Sequence, residues 1–517
     1  MNRPARLALI GAALLPLVVA LVCFDDPFHG DAIPNTARPA LQLYAAQAPF
    51  PLIHDRFDAG HPTLFPLVLA GVWRLTGGPS LLAAHLLAAG WAWLSLLGLW
   101  RLARTAVPPA GAAAAVLLAA GGSVAVTQVA LVQSALPVAG AFAWAWWALR
   151  CDRRWAFVAA SVVLVLLHLE GAMLLAVLAA VDGVRRLGQV GWPDGPWLRE
   201  RLLRYAPAAV VFGGWLLAHQ AATGWALVSP EYAGHRGSGS PATILYNVAI
   251  LGWRWLDHGY GLLWLAVFAF FIKNKNIFFN LLKEKIFYYN KTKKETNTNP
   301  PSEQPLFVLE LTAAALVLSV VLAVASSGPL GHRYVLPVQW GAVVGAVLAL
   351  GQWPPVGQRW GLAVVGVGLL GGHVLVYPGK CLGDATLHYR SWFALEWQLA
   401  GDWPDAPVGA LAPHAAPRNV RYLSDGRGLH TVRLDEGPPP PLILVTNLSC
   451  EFPPARRDSL RQVWRALCLR RGAVEAELLV DPAVAPATLP WGPCPPDAAA
   501  AWVRQVKARL LGGCAGC

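Results

Sequence analysis

The sequence predicts an all-α polytopic membrane protein with about 11 transmembrane helices and a small C-terminal α/β-type extracytoplasmic domain. Three observations carry this. Hydrophobic residues make up 56% of the chain and charged residues 14%, where a soluble domain carries roughly 25% charged. Apolar runs long enough to span a bilayer, roughly 20 residues each, recur from the N-terminus to about Tyr377. From Gly379 onward hydropathy falls and short strand-like runs appear.

The candidate spans are 7–23, 63–79, 81–100, 108–126, 127–149, 156–181, 206–221, 258–272, 306–326, 334–351 and 359–377. The first is kept as a span because Met1 to Cys23 has no small-x-small cleavage site before the aspartates that follow. With Arg3 and Arg6 inside, loops 24–62 and 222–257 and the tail lie outside, and 273–305 forms a basic cytoplasmic loop. One crossing per run strands Arg150, Arg153 and Arg154 on the outer side, against the positive-inside bias. In a second arrangement 155–184 is a helical hairpin with its apex near Glu170 and one earlier run is re-entrant. Arg101, Arg104, Arg150–Arg154, Arg185 and Arg186 then share the cytoplasmic face, and the outer loops do not move. The formal charge of +12 is accounted for by such clusters, and no nucleic-acid-binding pattern is present.

Residues 273–299 differ from their surroundings: seven of the nine lysines lie there, without alanine, glycine or arginine. This reads as a basic, partly aromatic cytoplasmic loop at the lipid surface, with no catalytic residue placed in it. In the tail, 441–449 and 473–480 read as strands and 456–470 as an amphipathic helix. A packing or acceptor-recognition role is expected of this domain. Six of the eight cysteines fall after residue 380; outside the cytoplasm they suit disulfides. The terminal Cys514–Cys517 pair lacks the partners of a metal site.

The first outer loop concentrates acid: Asp25, Asp26, Asp31, Asp55 and Asp58 lie between two apolar runs. Three local patterns stand out: GDAIPNTAR (30–38), HPTLFPLVLAGVWRLTG (61–77) and RYVLP (333–337), the last preceded by His332. Together they resemble the motifs of polyprenyl-phosphate-dependent glycosyltransferases of the GT-C fold, such as the protein O-mannosyltransferases and the lipid A aminoarabinose transferases. HLEG (168–171) and TGWALVSPEY (223–232) are weaker echoes, and the likeness covers about 1–380. Ala32 stands where the family has a second acid and Thr63 where it has a second proline, which loosens the catalytic assignment more than the fold.

The resemblance implies a GT-C fold for a domain 1–378, and the fall in hydropathy sets 379–517 apart as an extracytoplasmic domain. The resemblance also implies a polyprenyl-phosphate sugar donor, a glycan, lipid or protein acceptor, and an active site outside the cell inner membrane. Such a transfer needs a carboxylate within reach of the acceptor nucleophile and a cation for the departing phosphate, for which the arginine fork is suited. Asp31 is expected as the base, with Asp26 second. Arg333 is the expected phosphate ligand, helped by His332, Tyr334 and His61, while Asp25 and Glu170 line the cavity. No cofactor is required, and no cluster of metal ligands is apparent in the sequence. Each residue has a plainer reading. The aspartates are solvated loop or helix-start residues, His61 enters a helix, Arg333 snorkels and Glu170 pairs with a membrane arginine. His219 and His258 read as interface residues. Trp253 and Trp255 read as interface anchors before sugar platforms. A transporter, flippase or ligase for lipid-linked glycans is the alternative class, and a non-catalytic scaffold a third; no internal repeat supports transport.

Overall fold

The computed structural model describes residues 3–46, 58–189, 194–227, 240–276, 303–325, 330–374, 385–391, 393, 396 and 423, with five strand segments between 408 and 480. The helices are α1 (Arg3–Val22), α2 (Arg38–Ala46), α3 (Leu64–Leu75), α4 (Leu81–Ala103), α5 (Pro109–Gly121), α6 (Ser123–Leu131), α7 (Ala135–Arg150) and α8 (Arg154–Leu167). They continue as α9 (Glu170–Gln189), α10 (Gly195–Thr223), α11 (Pro241–Leu256), α12 (Tyr260–Lys273), α13 (Glu303–Ala325), α14 (Leu336–Leu350) and α15 (Pro355–Gly371). Among these, α1, α4 and α13 are each long and apolar enough to cross a membrane, and the bent pairs α5/α6 and α11/α12 reach that length together.

Local chemistry sets the helix starts. Ser80, Asp194 and Ser240 cap α4, α10 and α11 by accepting backbone N–H groups at 3.3, 3.0 and 3.3 Å. Proline opens α5, α14 and α15, where its missing N–H costs nothing. Helix α14 is buried from Leu336 to Leu350 and forms the centre of the bundle. Small residues let helices meet backbone to backbone. A Cβ on Gly140 of α7 would lie 2.6 Å from the Ser95 Cα of α4, and Ser95 Oγ donates to Leu136 O at 3.0 Å.

Ion pairs sort the helix ends. Arg150, at the end of α7, donates to Glu310 (2.6 Å) and Glu303 (2.7 Å) of α13 and to Thr105 Oγ1 (2.8 Å) after α4. Arg185 of α9 reaches Glu310 at 3.0 Å and Arg150 O at 3.3 Å. Arg204 of α10 meets Asp152 at 2.8 Å. The arginine clusters therefore share one end of the bundle, as the hairpin arrangement requires.

That arrangement replaces several expected spans. The run 156–181 is two helices, broken at His168–Leu169. A Cβ on Gly171 would stand 2.0 Å from Leu164 O, so the two helices close on each other only through a glycine. The run 63–79 becomes α3, whose 12 residues rise about 18 Å against a hydrocarbon core of about 30 Å. The expected boundary between 108–126 and 127–149 falls inside α6, which leaves α5 at a 57° bend beside Gly122. Loop 222–257 contains α11, which turns by 89° into α12 at Asp257–Gly259.

In the tail, β1 (Val408–Ala410), β2 (Thr431–Arg433), β3 (Leu442–Thr446), β4 (Arg465–Arg471) and β5 (Val474–Val480) form one sheet in the order β2-β1-β3-β5-β4. Strand β1 runs parallel to β2 and β3, and β5 antiparallel to β3 and β4. The expected strands at 441–449 and 473–480 coincide with β3 and β5. The expected helix 456–470 is, over 465–470, part of β4, whose backbone pairs with β5 from Arg465–Val480 to Arg471–Val474. Its apolar positions Ala466, Leu467 and Leu469 satisfy a strand as readily as a helix. Most of the lysine-rich stretch 273–299, from 277 onward, lies outside the described residues.

Candidate active site

The chain leaves α1 through a turn at Cys23–Asp26, then reverses at Gly30, whose φ of +53° lies in the left-handed region that glycine tolerates. A π-helical turn, Ile33–Ala37, leads into α2. This places Asp31 half-exposed against Arg333, which sits on a single 3-10 turn, His332–Tyr334, ahead of α14. Arg333 Nη2 donates to Asp31 Oδ2 and, at 2.9 Å, to the Tyr334 hydroxyl; Nη1 reaches Gln133 Oε1 at 3.4 Å. The guanidinium lies 4.9 Å from the centre of the Tyr334 ring. Burial pushes the Tyr334 phenol above its ordinary range.

The pair borders a small cleft lined by Asp31, Asn35, Gln133, His168, Glu170 and Arg333 among others. Glu170 opens α9 and is buried. Its backbone N–H donates to His168 Nδ1 at 3.3 Å, and the His168 ring stacks on His61 at 3.9 Å. The α8–α9 apex thus brings a second carboxylate and two imidazoles toward the Asp31–Arg333 pair. Asn35 and Thr36 lie within the first motif. Gln133 was missed; its one signal is a polar residue directly after the apolar VALV (129–132).

Other expected site residues lie elsewhere. Asp26 is 3% exposed and is held by Arg390, with Nε to Oδ2 at 2.7 Å and Nη2 to Oδ1 at 3.1 Å. Burial raises its carboxyl above the ordinary range, and the Arg390 hydrogen bond opposes this. Asp26 also contributes its backbone carbonyl to His85 at 3.2 Å, which marks it as a fastening for this loop. Asp25 is half-buried beside it. Neither lines the cleft. His332 is 1% exposed and faces away from Arg333, with Nε2 2.7 Å from Asp257 Oδ2.

His219 and His258, read as interface residues, are buried. His219 Nε2 lies 2.6 Å from Asp58 Oδ2, while its Nδ1 is 2.9 Å from Trp225 O. His258 lies with Asp257 and His332 in a group whose ligand-type atoms fall within 4.8 Å of one another. Trp255 donates to Ser319 Oγ at 2.9 Å, in a helix–helix contact, whereas Trp253 is half-exposed.

The structure thus defines an apolar helical bundle with an arginine–carboxylate pair beside a cleft at one end. No protein-family model matches the chain, and no curated protein does. Among solved structures it is similar to ArnT from Cupriavidus metallidurans bound to undecaprenyl phosphate, at 15% identity over 92% of this chain and 98% of that one, TM-score 0.51. The apo state of the same protein gives 15% identity, the same coverage and TM-score 0.50. The arabinofuranosyltransferase AftD from Mycobacteria matches at 15% identity and TM-score 0.45, and this chain spans 40% of it. The chain thus has the fold of ArnT along nearly its whole length, which is the GT-C fold the motifs implied.

Proposed function

We propose that this chain is an integral membrane glycosyltransferase. It moves a sugar from a polyprenyl-phosphate donor to a glycan, lipid or protein acceptor on the extracytoplasmic face of the plasma (inner) membrane. The observation that carries the reading is that Asp31 and Arg333, 302 residues apart in the chain, meet at a cleft that also holds Glu170. The fold shared with a protein solved with undecaprenyl phosphate bound supports the donor class. The arginine-rich end takes the cytoplasmic side under the positive-inside rule, which sets Asp31 outside. Residues 1–378 form the transferase unit and 379–517 an extracytoplasmic domain.

The donor phosphate competes for Arg333 and releases Asp31. Asp31 then accepts the proton of the acceptor nucleophile as that atom bonds to the anomeric carbon. The bond from that carbon to the phosphate oxygen breaks, and the charge collecting on the phosphate is met by Arg333 and the Tyr334 hydroxyl. A single displacement of this kind inverts the anomeric centre.

The test is release of polyprenyl phosphate by the purified protein in lipid, from a panel of polyprenyl-phosphate monosaccharides with membrane extract as acceptor. Asp31→Asn is expected to lower turnover by about 10²–10⁴-fold, and Arg333→Ala by about 10²–10³-fold, with folding retained in both. Equal release by Asp31→Asn would move the base to another group. An absence of both turnover and polyprenyl-phosphate binding would favour a transporter or scaffold.

A further inference from the structure

We infer that Asp257, His258 and His332 form a binding site for one divalent transition-metal ion of the zinc class, which ties the α11–α12 corner to the turn carrying Arg333. The inference stands apart from the proposed transfer reaction and rests on the geometry of the three side chains.

All three are buried, and each offers one ligand atom within 4.8 Å of the other two. His258 Nδ1 lies 2.9 Å from Gly372 O. A carbonyl only accepts, so Nδ1 carries a proton, and in the neutral ring Nε2 presents a lone pair. This backbone anchoring of the far ring nitrogen is the arrangement that metal-binding histidines use. That Nε2 faces Asp257 Oδ2 at 3.6 Å, close to the edge of a tetrahedral zinc site with bonds of about 2.0–2.1 Å.

His332 Nε2 makes the stronger case. Asp257 Oδ2, an acceptor, lies 2.7 Å away, and Arg254 Nη1, which only donates, lies 3.1 Å away. Protonated, Nε2 opposes the arginine; deprotonated, it opposes the carboxylate. Protonating His258 as well would set a second buried cation beside Arg254 against one carboxylate. A divalent ion between the two Nε2 atoms and Oδ2 would take a lone pair from each, in place of the Arg254 head group, whose Nη1 lies 3.5 Å from the same Oδ2. The Arg254 head group must then swing from His332, while its Nε keeps its bond to Leu330 O at 3.0 Å. Two imidazoles and one carboxylate suit zinc and its first-row neighbours better than calcium or magnesium.

The backbone is shaped to hold the three together. His258 has a φ of +53°, which an L-residue adopts at a cost. Gly259 and Gly372 allow α15 to press on this corner: a Cβ on Gly259 would meet Gly368 O at 2.2 Å, and one on Gly372 would meet His258 O at 2.4 Å. Strain held in this way by its surroundings collects at functional positions.

The test uses the full chain in lipid nanodiscs, stripped with a chelator and titrated with Zn²⁺ or Co²⁺. The expected result is one tightly held equivalent, with the visible absorption of nitrogen- and oxygen-ligated Co²⁺ and without the intense thiolate band that tail cysteines would give. His258→Asn, which tolerates the left-handed backbone, and His332→Gln are each expected to lose this signal. Zn²⁺ should raise the unfolding temperature of the stripped wild type and leave that of both variants unchanged. No bound equivalent in the wild type would overturn the site. So would a signal that survives both substitutions, or one carrying the thiolate band.

Discussion

Arg150 and Glu310 meet at 2.6 Å at the end of the bundle opposite the cleft, with side chains no more than 1% exposed. Trp146 and Arg185 close on the same carboxylate at 2.9 and 3.0 Å, so α7, α9 and α13 are joined at one point. Removing one partner leaves a buried charge without its match. Arg150→Met is expected to destabilise the protein by about 3 kcal/mol, the low end of the range for a broken buried pair because Arg185 still reaches Glu310. Thermal unfolding in detergent measures it, and Arg185→Met, which leaves the shorter bond in place, should cost less.

The two described cysteines report on the sidedness of the bundle. Cys151 is exposed beside the arginine cluster. Cys23 is buried, and burial followed by the neighbouring Asp26 charge pushes its thiol up to about 12. With the six tail cysteines replaced by serine, a membrane-impermeant maleimide should label Cys151 in inverted vesicles and not in intact cells. Cys23 should stay unlabelled from either side until the protein is denatured.

Gly171 is the position on which the α8–α9 apex depends. A methyl group there would stand 2.0 Å from Leu164 O, so Gly171→Ala must push the helices apart, at a cost of about 1–3 kcal/mol. Glu170 and His168 then shift within the cleft. A fall in turnover that exceeds the fall in folded protein is the expected signature, read from activity per folded molecule.

Asp26 links stability to pH. Its folded-state pKa lies above the ordinary 3.8, so between the two values the folded chain holds more protons than the unfolded one. Its contribution is present in full below the ordinary value and declines as pH rises through the folded one. Asp26→Asn should flatten this part of a plot of unfolding temperature against pH, measured from about pH 4 to 7. An unchanged slope would place the titration elsewhere.

Much of this was legible in the chain. Asp31 and Arg333 stand in short patterns whose chemistry could be named before any geometry was known, and the arginine clusters already favoured the hairpin that Arg150 and Arg185 form. What was hidden depends on distant partners. Asp26 read as a second base and Asp25 as a cavity residue, because the residue that holds Asp26 is Arg390, beyond the last helix. His258 read as an interface residue, since nothing local announces that His332 turns toward the Asp257–His258 corner. Helix α3 passed for a span because hydropathy cannot see where a run of the right composition stops.

The Asp26–Arg390 pair changes how the two halves of the chain can be separated. A truncation at residue 378 would seem to release an intact helical bundle, yet it would remove the counter-ion of a carboxylate that is 3% exposed. It would also remove the Tyr389 ring that stacks on His29 at 5.2 Å. The loop that presents Asp31 is thus clasped from behind by sequence that follows every helix of the bundle. During synthesis Asp26 therefore meets its counter-ion only after the helices of the bundle have been made.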